Sequence, residues 1–154
     1  MVSIIPETTL LYLEKDNQYL MLKRNKKPKD INEGFWIGVG GHVEKDETVE
    51  ECLIRETKEE TGLDLTGYVK RGIIYFQNDD FIEVMHLFTS SSFKGNIVDC
   101  DEGELHWIDK KNVFDLKLWE GDKIFLKLLM NNEPFFELKF VYKGKKLIKS
   151  VRMK

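Results

Sequence analysis

The chain has 154 residues, 42% hydrophobic and 33% charged, with a formal net charge of -3. That size suits a single domain, expected over residues 1–154, with a sizeable buried core, and the slightly acidic balance makes nucleic acid an unlikely partner. No apolar run approaches a membrane span, and the start MVSIIPETTL lacks the basic region and long apolar run of a signal peptide, so a cytoplasmic location is expected.

The segment TTLLYLEKDNQYLMLKR predicts two strands around a turn at Lys15-Asp16-Asn17-Gln18. A polar loop, NKKPKDINEG, broken by Pro28, leads into FWIGVGGHVE. There Gly38, Gly40 and Gly41 suggest bends, or backbone that must approach something closely. A helix follows, with Thr48 as N-cap, Glu51 completing a capping box and Gly62 as the stop. RGIIYFQ and FIEVMHLFTSSSF predict strands around an Asn78-Asp79-Asp80 turn, and GELHWID a shorter strand. LWEGDKIFLKLLMNN predicts a second helix entered near Glu120 to Asp122 and barred from continuing by Pro134. The end reads as a hairpin turning at Lys143-Gly144. The expected architecture is an α/β sandwich of α+β type, with a mixed sheet and one helix on each face. Cys52 and Cys100 have neither zinc-type spacing nor a disulfide framework.

The first helix changes character along one stripe: Val49, Cys52 and Leu53 are apolar, then Glu56, Glu59 and Glu60 take over, then Leu63 returns. A solvated acidic face would lie opposite the apolar stripe, whereas these glutamates continue it. Two such charges about 4 Å apart repel by roughly 4 kcal/mol at an effective dielectric near 20. The last turn of a helix also disfavours anions. Arg55, Lys58 or a bound metal would offset the cost. Spacing alone leaves open whether this is a cation site or an acidic surface helix.

The surrounding residues narrow the choice. GHVEKDETVEECLIRETKEETGL, residues 41–63, is similar to the Nudix box, G-x5-E-x7-R-E-U-x-E-E-x-G-U, with U a bulky apolar residue. The matching positions are Gly41, Glu47, Arg55, Glu56, Glu59, Glu60, Gly62 and Leu63; Thr57 stands where an aliphatic residue is more usual. The resemblance implies a Nudix fold and hydrolysis of nucleoside diphosphates linked to another group, with Mg²⁺ or Mn²⁺ as cofactor. It also implies that Glu56, Glu59, Glu60 and the Gly40 carbonyl are metal ligands, one glutamate serving as general base. Arg55 and Glu47 would form an ion pair that orients the box.

The resemblance extends beyond the box. Glu102, five residues before Trp107, matches a loop-borne glutamate that acts as a further ligand or base, with Glu104 as its rival. The layout resembles the MutT branch that hydrolyses oxidised purine triphosphates such as 8-oxo-dGTP. In that branch a tryptophan stacks on the purine and two aspartates read its edge. Trp119 and Asp122 match the tryptophan and second aspartate, Gly121 stands at the first, and Ile37 follows Trp36 where an asparagine is expected. Trp119 is equally readable as a core aromatic, and Asp122 as a helix N-terminal charge. Trp36, Lys23 and Arg24 are further candidates for substrate contact, the two cations through phosphate. His42, His86 and His106 lack metal-ligand spacing. The expected activity is cleavage of a nucleoside triphosphate to monophosphate and pyrophosphate by a monomer or homodimer. The alternatives are a hydrolase of ADP-ribose, dinucleoside polyphosphate or capped RNA, and a non-catalytic nucleotide sensor.

Overall fold

The computed structural model describes residues 5–27 and 30–154. The first four residues of the chain and Pro28, the expected break in the polar loop, lie outside the described residues. The strands β1 (Glu7–Lys15) and β2 (Gln18–Arg24) form the expected hairpin. Its two turn residues, Asp16 and Asn17, have φ of 50° and 61°, the left-handed pair that tight hairpins require. A two-residue β3 (Trp36–Ile37) precedes helix α1 (Val49–Thr61). The chain continues through β4 (Asp64–Asn78), β5 (Phe81–Lys94), β6 (Gly103–Asp109), a 3-10 turn (Lys110–Asp115), α2 (Glu120–Met130), β7 (Phe136–Lys143) and β8 (Lys146–Arg152).

The strands run in the order β3-β2-β1-β5-β4-β7-β8, with β6 pairing against β2. The β1–β5 and β4–β7 pairs are parallel and the others antiparallel, so the sheet is mixed, as expected. Strand alternation sends β1 into two cores. Leu10 and Tyr12 join Phe125, Leu126 and Leu129 of α2 on one face, while Leu11 and Leu13 join Leu53 of α1 on the other.

Helix α1 begins with the expected capping box. The Glu51 N–H donates to Thr48 Oγ1 and the Thr48 N–H to Glu51 Oε1, at 3.0 and 2.9 Å. It ends on Gly62, whose φ of 81° is the left-handed C-cap. Strand β4 begins seven residues before the expected Arg71. Register shifts between Leu65 and Gly72 break the alternation that would reveal it. The last hairpin turns at Gly144-Lys145, one residue later than expected, with Gly144 at φ 62°. No helix among the described residues is long and apolar enough to cross a membrane.

Candidate active site

Helix α1 packs on β1 and β4 through a stripe that differs from the sequence expectation. Its buried residues are Cys52, Leu53, Thr57, Glu60 and Thr61. Thr57 and Thr61 take core positions because each hydroxyl donates back to the carbonyl four residues earlier, at 2.7 and 2.6 Å. That also accounts for threonine at the usually aliphatic position of the box. Glu60 continues the buried stripe and the Glu56 side chain is mostly buried. Glu59, expected to point inward, is instead 59% exposed.

Arg55 offsets the repulsion among these groups. Its Nε and Nη2 donate to the two oxygens of Glu47 at 2.6 and 2.9 Å. Its Nη1 donates to Glu56 at 2.8 Å and Glu59 at 3.3 Å, and Nη2 also reaches the His42 carbonyl at 3.2 Å. This fork holds the Glu47 carboxyl down at about 2. Lys58 plays no such part; it pairs with Asp64 at 3.2 Å.

Glu60 faces the opposite way. One oxygen accepts the Gly40 N–H at 2.7 Å. Burial, then the neighbouring Glu102 carboxyl, push its titration far up, while the hydrogen bond from Glu60 holds Glu102 down. The closeness of the two carboxyl groups thus drives their titrations apart, Glu60 upward and Glu102 downward. Glu102 is also held by Arg24 at 3.1 Å and Lys27 at 3.2 Å. Its rival Glu104 lies away from the cluster, bonded to Asn25 and 3.5 Å from His106. Burial raises Glu56 as well.

Two glycines allow this crowding for different reasons. A Cβ on Gly40 would sit 1.8 Å from the Thr9 carbonyl oxygen, so only glycine lets the loop lie against β1. A Cβ on Gly41 would sit 2.4–2.6 Å from the Glu56 carboxyl, so there glycine makes room for a functional group.

Among the described residues no three His, Cys, Asp or Glu side chains are already gathered as a metal-holding group. The contacts explain why: Arg55 holds Glu56 and Glu59, while Glu60 is turned to Gly40 and Glu102. The donor chemistry nonetheless fits a hard divalent cation. It is all oxygen, and two of its carboxyl groups are held protonation-prone by burial, a cost that a cation would relieve.

On the other face, a cavity of about 600 Å³ is lined by Asn32, Ile37, Met85, Trp119, Asp122 and Tyr142, among others. The Trp119 ring stacks on Phe35 at 4.5 Å, meets Tyr142 edge-on at 5.5 Å and donates from Nε1 to Asn32 Oδ1 at 2.8 Å. It is thus both a core aromatic and part of the cavity wall. Asp122 is buried, and among the described residues no hydrogen-bond donor reaches its carboxyl; burial pushes it up to about 8. Gly121 is glycine because Phe140 and Tyr142 fill the space a side chain would need, at 2.6 and 2.7 Å from a Cβ there, and its N–H donates to the Tyr142 hydroxyl.

The remaining candidates fall elsewhere. Lys23 lies 5.9 Å over the Trp36 ring, and Trp36 packs near His106; neither lines the cavity. Arg24 is spent on Asp30 and Glu102. Sequence reasoning missed Asn32 and Glu83, which line the cavity. Glu83 sits 3.6 Å from His42, and burial raises its titration. His86 pairs with Glu7 at 2.8 Å.

Comparison with known proteins identifies the family. The family description "NUDIX domain" matches residues 6–129. The chain belongs to the Nudix family and is a Nudix pyrophosphohydrolase. It is 26% identical over 147 residues to a Bacillus subtilis protein named uncharacterized Nudix hydrolase YvcI, covering 92% of this chain and 89% of that one. It is 30% identical over 111 residues to the oxidized purine nucleoside triphosphate hydrolase of Danio rerio, covering 71% of each. The crystal structure of a MutT protein from Bacillus halodurans superposes with a TM-score of 0.86 at 24% identity, covering 97% of this chain and 98% of that one, which shows the shared fold.

The two glycines should respond differently to alanine. Gly40→Ala forces backbone apart and should lower the melting temperature clearly. Gly41→Ala displaces only the flexible end of Glu56, so it should melt near wild type while losing at least about tenfold in turnover. Equal melting shifts in the two variants would contradict this account. Asp122 takes up a proton more readily folded than unfolded. Its contribution to stability should therefore fall as pH rises from about 4 toward about 8. In thermal melts across that range, Asp122→Asn should gain on wild type as pH rises; parallel curves would mean that the carboxyl is not held in an apolar site.

Proposed function

We propose that this chain is a Mg²⁺- or Mn²⁺-dependent hydrolase that cleaves a nucleoside triphosphate to the monophosphate and pyrophosphate, with oxidised purine nucleotides as its substrate class. The observation that carries the reading is the junction at residues 40–42. Gly40 N–H holds Glu60, Gly41 abuts Glu56 and the His42 carbonyl accepts from Arg55. The His42 side chain, one residue on, lines the cavity with Trp119 and Asp122. A base in that cavity would thus bring its phosphates past this turn to the carboxylates. The name of the Danio rerio relative supports the choice of substrate.

In this reading Glu56, Glu59, Glu60, Glu102 and the Gly40 carbonyl hold the cation. When bound, the cation neutralises phosphate charge and acidifies water. Glu56, Glu59 or Glu102 takes the proton of the attacking water. Arg55 is a positioning residue, acting through the carboxyl groups it grips. Trp119 packs against the base, and Asp122 can donate to its edge when protonated or accept from it when ionised.

The test is a hydrolysis panel with Mg²⁺: 8-oxo-dGTP, the ordinary triphosphates, ADP-ribose and a diadenosine polyphosphate, with products identified. The expected outcome is fastest release of monophosphate and pyrophosphate from an oxidised purine triphosphate. ADP-ribose as the preferred substrate would overturn the substrate class, and no turnover at all would favour a sensor. Glu60→Gln keeps the shape and an acceptor for Gly40 N–H, so it should fold normally and lose roughly a hundredfold or more in turnover. Near-normal Mg²⁺-dependent activity in that variant would remove Glu60 from the ligand set.

A further inference from the structure

The cavity holds two side-chain amides in different states. Asn78 is fully engaged: its Nδ2 donates to the Gly144 carbonyl at 2.8 Å and its Oδ1 accepts the Gly144 N–H at 3.1 Å. Asn32 is engaged on one side only. Its Oδ1 accepts Trp119 Nε1–H at 2.8 Å. An indole nitrogen can only donate, so the amide atom facing it must be the oxygen. The orientation of the Asn32 amide is therefore set by chemistry, and its NH₂ group lies on the side away from the indole nitrogen. Among the described residues, no acceptor meets that group.

The backbone around Asn32 is pinned as firmly as the side chain. Its N–H donates to Asp30 Oδ1 at 3.2 Å, and its carbonyl accepts the Phe35 N–H at 2.8 Å. Asp30 is gripped by Arg24 Nε at 2.7 Å, and Phe35 stacks on Trp119. The 30–35 turn and Trp119 thus form one unit, which presents two oriented N–H donors in a mostly apolar pocket. A donor buried there against a ligand without an acceptor is costly, so such a group discriminates.

We propose that Asn32 is a specificity-determining residue: its NH₂ group reads a carbonyl oxygen of the purine, favouring oxo-purine over 6-amino-purine nucleotides. An oxo-purine edge places a carbonyl acceptor beside a ring N–H donor. Asn32 meets the first, and the Asp122 carboxyl can accept from the second. The 6-amino edge of adenine reverses this pattern, setting an N–H₂ donor against the Asn32 donors. The inference rests on the nucleotide reading above and names the side chain that makes its base choice.

The test compares wild type, Asn32→Ala and Asn32→Asp. The aspartate variant keeps an oxygen for Trp119 Nε1 and replaces the NH₂ donors by a charged acceptor oxygen, while the alanine variant removes them without adding charge. Two readouts are needed: kcat and KM with Mg²⁺ on 8-oxo-dGTP, dGTP and dATP, and calorimetric Kd for the matching nucleoside monophosphates without metal. Both variants should lose roughly tenfold or more in affinity for the oxo-purine monophosphates and in kcat/KM on their triphosphates, mainly through KM. Binding of dAMP should not weaken in Asn32→Ala and should tighten in Asn32→Asp, whose carboxylate can accept from the 6-amino group, so the preference collapses. An Asn32→Asp protein that binds and discriminates like wild type would overturn the proposal and leave Asn32 as an anchor for Trp119. So would an equal loss on every base. If wild type hydrolyses none of the triphosphates, the parent reading fails, while the monophosphate affinities still decide the role of Asn32.

Discussion

At the C-terminal end of α1, one guanidinium separates carboxyl groups that would otherwise repel one another. Arg55 donates to Glu47, Glu56 and Glu59, and to the His42 carbonyl. The helix end is the wrong place for anions, since its own unpaired carbonyls are partly negative. Arg55 offsets that cost on the outer side of the cluster. On the inner side the cost is met differently, by Arg24 and Lys27 around Glu102 and by the Gly40 N–H donated to Glu60, whose titration burial raises. The arrangement is held but not saturated, since burial still raises both Glu56 and Glu60.

The same constraint accounts for the shape of the loop before the helix. The backbone at residues 40–42 must approach β1, Glu56, Glu60 and Arg55 together, which excludes a side chain at Gly40 and makes one at Gly41 displace the Glu56 carboxyl. Because that loop crosses from one face of the sheet to the other, it links the acidic cluster to the cavity under α2. A second link runs through side chains. Arg24 joins Glu102 to Asp30, Asp30 holds the Asn32 backbone, and Asn32 holds Trp119. The pocket wall and the cluster are therefore tied at two places.

Much of this was legible in the sequence wherever the signal is local. The capping box, the Gly62 stop and the Asp16-Asn17 turn each depend on a few neighbouring residues, and the box carboxylates stand at one helical spacing. What was illegible depends on partners far along the chain. Thr57 and Thr61 look polar until their hydroxyls are seen to bond back within the helix. Arg24 looks like a free cation until Asp30 and Glu102 close around it. Glu59 looks buried by periodicity, but the core stripe turns through Thr57 and leaves it 59% exposed. Asn32 carries no local signal, because only the fold brings Trp119 to it from 87 positions away.

The central claim is that the glutamates of α1 form a divalent-cation site, with Arg55 and the glycine loop shaping it. The most direct test is a Mn²⁺ titration followed by electron paramagnetic resonance, on wild type and on the Glu56→Gln/Glu60→Gln protein, with circular dichroism to confirm the fold. Wild type should take up Mn²⁺ and the double variant should lose that binding while remaining folded. Equal Mn²⁺ affinity in the two proteins would contradict the account.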